Sequence, residues 1–173
     1  DLTAIVRPKT FDRPELNFNI VRCYSHEKSR YLNQVLKAIA ARLNVQNIVS
    51  DACGIIFTYT PKEAWELFGS AVGEAAEQVH TILSGAPIDA IKYGVYTGSA
   101  PKVSSISQKL WDIYKKRTLL LFKRGSIKML FGNTAISVGV DNELINDIDS
   151  YKMPQSMEAY YQQCGRAGRS GQN

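Results

Sequence analysis

Apolar and polar positions along the chain switch between a two-residue period and a helical one. Residues 17–24 alternate enough to predict a first strand. Ser25 can then cap a helix whose apolar stripe is Leu32, Val35, Leu36, Ile39, Ala40 and Leu43. Residues 54–58 form a short apolar run, as a buried parallel strand should. Thr60-Pro61-Lys62-Glu63 reads as a helix start, with Thr60 as cap, Pro61 at the first position and Glu63 as capping-box partner. One helix behind it carries Ala64, Leu67, Phe68, Ala71, Val72, Ala75, Val79 and Leu83 on one face, until Gly85-Ala86-Pro87 ends it. Ile91, Tyr93 and Val95 predict a strand, Ile106, Leu110 and Ile113 a helix, and residues 128–131 another strand. Ser156 caps a last short helix that Gly165 terminates.

Repeated β-α units imply an α/β fold, a mostly parallel sheet with helices on both faces. Such sheets present ligands to the loops at the carboxyl ends of their strands. Those loops are Thr58-Tyr59-Thr60, Thr97-Gly98-Ser99 and Asn133-Thr134-Ala135. The first opens a helix N-terminus, whose amides favour phosphate. Against that stands the commoner task of Ser and Thr, which is to cap helices and fill turns. Only the first dozen residues read as a linker.

A chain of 173 residues fits one domain with a sizeable core. Lys plus Arg number 21 against 16 Asp plus Glu, a net +5, which permits a polyanionic partner without demanding one. No apolar run approaches the roughly 20 residues that span a bilayer, and the first residues do not resemble a signal peptide, so no membrane partner is expected. The chain opens on Asp1, as a piece of a longer protein would. Cys23, Cys53 and Cys164 are odd in number and lack a Cys-x-x-Cys, so reduced thiols are expected and a metal site is not. His26 and His80 are isolated and read as surface or satisfied histidines.

The chain closes on Gln162-Gln163-Cys164-Gly165-Arg166-Ala167-Gly168-Arg169-Ser170-Gly171. Two arginines set among glycines after a capped helix suit a phosphate arriving from outside the domain. An arginine fork donates several fixed hydrogen bonds to phosphate oxygens and stays charged. Glycines let the backbone come close. This ending resembles motif VI of superfamily 2 helicases, in the RecQ-like form Gln-x-x-Gly-Arg-Ala-Gly-Arg. Phe122-Lys123-Arg124-Gly125, residues 127–131 and Gly139-Val140-Asp141 resemble the run into and through motif V. Met153-Pro154 and Glu158-x-Tyr160-Tyr161-Gln162 match the approach to motif VI. Gly54-Ile55-Ile56-Phe57 resembles the motif IV strand, and Phe11-Asp12-Arg13-Pro14-Glu15-Leu16 the segment joining the two motor domains. The likeness covers nearly the whole chain and is weak between residues 62 and 118.

The resemblance implies a RecA-like domain, a P-loop NTPase-like fold without the P-loop. Residues 1–16 would be the interdomain joint and 17–173 the helicase C-terminal domain with motifs IV, V and VI. It implies the second motor half of an ATP-dependent 3′–5′ DNA helicase, serving DNA repair and recombination in the nucleus, with a bacterial cytoplasm as the alternative. Arg166 and Arg169 would be arginine fingers. Gly139 and Asp141 would meet the nucleotide, Asp141 at its ribose, and Gln162 would couple motif VI to the neighbouring domain. Thr58, Thr97, Gly98, Asn133 and Thr134 would hold the backbone of single-stranded or duplex DNA. Tyr160, Tyr161 and Trp111 are candidates for base stacking, although aromatic residues at helical spacing are more often core. The chain has no Gly-x-x-x-x-Gly-Lys-Ser/Thr loop and no Asp-Glu pair for Mg2+. Both would belong to a first RecA-like domain, so ATP and Mg2+ would be held there and the isolated chain would not hydrolyse ATP.

Several departures bear on coupling. The Ala-Thr that opens motif V reads Gly132-Asn133, its Phe-Gly-Met-Gly reads Ile136-Ser137-Val138-Gly139, and the Asp after the second arginine is Ser170. Two other classes therefore stay open: a superfamily 2 motor acting on RNA, and a catalytically silent nucleic-acid-binding or scaffolding module.

Overall fold

The computed structural model describes residues 20–45, 53–85 and 93–167. The expected interdomain joint, residues 17–19, Ile91 and Arg169 lie outside them. Four parallel strands form one sheet in the order β2-β3-β1-β4: β1 (Cys53–Phe57), β2 (Tyr93–Tyr96), β3 (Met129–Gly132) and β4 (Ile145–Ser150). Among the described residues six α-helices accompany them: α1 (Lys28–Val45), α2 (Pro61–Val72), α3 (Ala75–Ser84), α4 (Gln108–Lys123), the single turn α5 (Ile136–Gly139) and α6 (Met157–Cys164).

Alternate side chains of a strand point to opposite faces. Phe131 meets Phe68 of α2 on one face, where Tyr93 also lies. Leu130 points to the other, where a Cβ on Gly94 would touch both Leu130 and Thr118 of α4. Helices α2 and α4 thus cover opposite faces of the sheet. They meet round the β2 edge, with the rings of Trp65 and Trp111 6.3 Å apart. An open edge strand leaves amides without partners. Tyr114 of α4 closes this one in part, its hydroxyl accepting the Val95 N–H at 3.1 Å. Complete burial pushes the Tyr114 phenol up to about 12, so it stays neutral.

Two of the three expected caps follow the sequence, whereas Ser25 lies inside a 3-10 turn, Ser25–Glu27, whose N-cap is Tyr24 and which precedes α1. Thr60 accepts the Glu63 N–H at 3.1 Å and Ser156 accepts the Ala159 N–H at 3.1 Å. Gly85 ends α3 in the left-handed region, φ 73°. Arg117 donates to the carbonyls of Ile82 and Leu83 there.

Two further expectations need correction, and two features were not foreseen. Residues 20–24 join no strand, and Ile20 is 90% exposed; alternation marks a strand only where a sheet edge is there to pair with it. The single helix expected behind Pro61 is two, because Gly73 turns the chain at φ 82°. Helix α4 buries Trp111, Tyr114, Thr118 and Phe122 instead of Leu110 and Ile113; its larger aromatic row has more apolar surface to remove from water. Strand β4 was not foreseen, since Asn and Asp are poor strand formers. Its period is also broken: a register shift between Cys53 and Gly54 sets Ile145 opposite Cys53 and Ile148 opposite Ile55. An extra residue in the strand puts side chains three apart on one face.

Candidate functional site

The loops that leave β1, β2, β3 and β4 adjoin at one end of the sheet. Thr58 donates its hydroxyl to the Gly132 carbonyl at 3.2 Å. A Cβ on Gly98 would lie 3.6 Å from the Ala135 Cβ. Tyr151 donates its N–H to the Phe57 carbonyl at 3.0 Å. All five candidate nucleic-acid residues therefore lie on this rim, but they face differently. Thr58 and Thr97 are buried, and the Thr97 hydroxyl donates to the Ser99 carbonyl at 2.6 Å. The Asn133 side chain accepts the Ala135 N–H at 3.2 Å, an Asx turn. Gly98 and Thr134 are exposed. The two buried hydroxyls thus shape their loops, and the surface offered to a ligand is chiefly Gly98, Ser99 and Thr134.

The N-terminus of α2 opens on the same rim. Glu63 accepts the Tyr59 N–H at 3.1 Å and pairs with Lys152 at 2.7 Å. Lys152 also lies over the Tyr59 ring, 5.4 Å from its centroid. An internal carboxylate therefore fills the place where a helix terminus would favour phosphate. Sequence reading found Glu63 as a cap but missed Lys152 and its partnership, because Lys152 follows the strand that went unseen. The Glu63 carboxylate raises the Lys152 pKa above its ordinary value.

The nucleotide candidates gather elsewhere. Helix α5 runs from Ile136 to Gly139, and Asp141 follows it, exposed. Arg166, at the end of α6, donates from Nη1 to the Val140 carbonyl at 3.0 Å and from Nη2 to the Ser137 carbonyl. The end of α6 is thereby fastened to α5 and the residue after it, one residue from Asp141. Arg166 Nε is buried without a hydrogen-bond partner among the described residues. Asp141 also lines an open hollow of about 480 Å³ with Lys123, Asn142, Glu143 and Leu144. Asn142 is structural: its amide donates to the Phe122 carbonyl at 3.0 Å and its oxygen accepts the Leu144 N–H at 3.0 Å.

Gln162 is exposed, with its amide 3.3 Å from Glu158. Its neighbour Gln163 is buried and accepts the Ser150 hydroxyl at 3.0 Å, tying α6 to β4. Among the stacking candidates Trp111 is core, donating to the Thr97 carbonyl at 3.2 Å, whereas Tyr161 is exposed. His26 and His80 are both exposed. Gly132 and Ile136 are coupled by packing. A Cβ on Gly132 would run into the Tyr96 carbonyl and the Ile136 side chain, so this strand end admits only glycine while Ile136 fills the space above it.

The model of the helicase conserved C-terminal domain matches residues 33–171. The ATP-dependent DNA helicase RecQ of Bacillus subtilis is 26% identical over 161 residues, 93% of this chain and 21% of its own length. The ATP-dependent RNA helicase rok1 of Neurospora crassa is 28% identical over 85 residues, 48% of this chain and 11% of its own. This chain thus spans about a fifth or less of these relatives. The structure of Mss116p DEAD-box helicase domain 2 bound to an RNA duplex shares the fold, with a TM-score of 0.55 at 16% identity, over 84% of this chain and 48% of that one. Four parallel strands, the motif V turn and the arginine-bearing end of α6 fall within the matched span. The chain belongs to the helicase conserved C-terminal domain family, with RecQ-like superfamily 2 helicases among its relatives.

Proposed function

We propose that this chain is the second motor domain of an ATP-dependent DNA helicase of RecQ type, moving 3′ to 5′. The observation that carries the reading is the fastening of Arg166 to the Val140 and Ser137 carbonyls, which sets the end of motif VI beside Asp141. DNA is favoured over RNA as substrate because the RecQ likeness runs the length of the chain, whereas the RNA-helicase likeness covers about half. Nucleic acid would lie along the rim of Gly98, Ser99 and Thr134, held by backbone amides.

ATP, with its Mg2+, would be held by a first RecA-like domain. The residues here fit that arrangement. Asp141 is an exposed carboxylate that can accept ribose hydroxyls. Bound there, ATP supplies a γ-phosphoryl whose transfer develops charge on its oxygens, and arginine neutralises such charge. The Arg166 fork is engaged within its own domain, so Arg169 is the better fit for the finger and Arg166 for the part that positions it.

A second reading, a module that binds nucleic acid without coupling to hydrolysis, has the engaged hydroxyls of Thr58 and Thr97 and the occupied α2 terminus behind it. DNA-stimulated ATP hydrolysis by the full-length protein separates the two. Arg169→Ala should cost on the order of 10³ or more in turnover while single-stranded DNA binding changes little. Negligible hydrolysis by both proteins, with DNA binding intact, would overturn the motor reading. An RNA-over-DNA preference in unwinding would overturn the substrate.

A further inference from the structure

We propose that the outward face of α4 is a docking surface for an acidic amphipathic helix. The helix has two apolar rows. One is core, built on Trp111, Tyr114, Thr118 and Phe122. The other is Leu110, Ile113 and Leu120, which are 48%, 40% and 49% exposed. At 3.6 residues per turn these three fall within an arc of about 80° beside the core row, and Arg117, which donates to the Ile82 and Leu83 carbonyls, lies within the same arc.

Lys109, Lys116 and Lys123 run alongside at seven-residue intervals, and all three are exposed. Seven residues are nearly two turns, so the three ammonium groups form a rail beside the apolar row, about 21 Å long. Asp112 is the single acidic residue of α4, and it is engaged by Lys115 at 2.9 Å and Gln108 at 2.9 Å. These bonds hold its carboxyl below the usual range, Lys115 contributing most. Asp112 also neighbours Lys116, one turn on, but its carboxylate is taken up by Lys115 and Gln108, so the flank stays basic.

An exposed row of large aliphatic side chains with a one-sign flank is the pattern read by a helix laid in a groove, with anchors at i, i+3 and i+7. The partner of complementary chemistry carries leucine-like anchors at that spacing and Glu or Asp along one flank. Nucleic acid would match the lysines but has no use for three aliphatic side chains in the middle of the face. This surface meets the Asp141 side at Lys123, which lines the same hollow, but helix docking needs no ATP hydrolysis, so it stands or falls independently of the helicase reading.

The test uses the full-length protein and a fluorescent helical 21-residue peptide with Leu at the anchor positions and Glu on the flank. Saturable binding is expected. K109E/K116E/K123E should weaken it about tenfold or more at low salt, and a Lys-flanked version of the peptide should bind that variant and not the original protein. Ile113→Glu with Leu120→Glu should abolish binding of both peptides while the melting temperature is unchanged. Binding that survives charge reversal, or the absence of saturable binding, overturns the proposal. So does a single-stranded oligonucleotide that binds this face and is lost with the lysines but not with the Ile113 and Leu120 changes.

Discussion

Arg166→Ala separates an arginine that holds the domain together from one that acts on a nucleotide. The guanidinium donates to two carbonyls, those of Ser137 and Val140, and both residues are buried. Removing it leaves both oxygens without that donor. Hydrogen bonds from charged groups contribute about 1.5–3 kcal/mol each. Arg166 itself is half-buried, so water entering the vacated space offsets part of the loss. The expected destabilisation is about 2–4 kcal/mol, or a fall in melting temperature of about 4–16 °C at this chain length. Arg166→Lys keeps the charge but loses the planar fork, and should recover no more than about half. Urea and thermal unfolding of the chain, followed by circular dichroism, measure this directly. A melting temperature for Arg166→Ala within about 1 °C of the parent chain would refute the fastening role. Arg166 would then be as available to a nucleotide as Arg169.

Two further outcomes follow from buried polar groups. Tyr114→Phe keeps the ring packing but leaves the Val95 N–H on the β2 edge unpaired, at a cost of about 1–3 kcal/mol in urea unfolding, and hydrogen exchange at Val95 should quicken. No change in either would mean that water replaces the hydroxyl. Asp149, half-buried on β4, has its pKa raised by burial. The folded carboxyl holds its proton more tightly than the unfolded one. This contribution to stability is fully present below the unfolded value and is lost as pH rises through the folded value. Asp149→Asn should therefore unfold at higher denaturant than the parent chain at pH 7 and alike near pH 3; a variant less stable at pH 7 would refute the assignment.

The α/β class, the strands at 54–58 and 128–131, the caps at Thr60 and Ser156 and the motif VI ending were legible in the sequence. Each is encoded locally, in a run of apolar residues, a hydroxyl before a helix or a spacing of Gly and Arg. Helix α4 was legible as a helix but not in its orientation. Two apolar rows satisfy the same period, and only packing against β2 selects the row with Trp111 and Tyr114. Strand β4 was hidden because a bulge breaks its alternation, and because Asn146, Asp147 and Asp149 are tolerated on an edge that one neighbour, β1, supports. The candidate site divides in the same way. The sequence by itself placed Thr58, Thr97, Gly98, Asn133 and Thr134 at strand ends and Asp141 and Arg166 in their motifs. Tertiary structure decided which way each one faces: inward for the hydroxyls of Thr58 and Thr97, outward for Thr134 and Asp141, and onto the Ser137 and Val140 carbonyls for Arg166. A residue's place in the chain sets what it can offer chemically, but whether a donor is spent on its own backbone depends on carbonyls brought near it by segments distant in sequence.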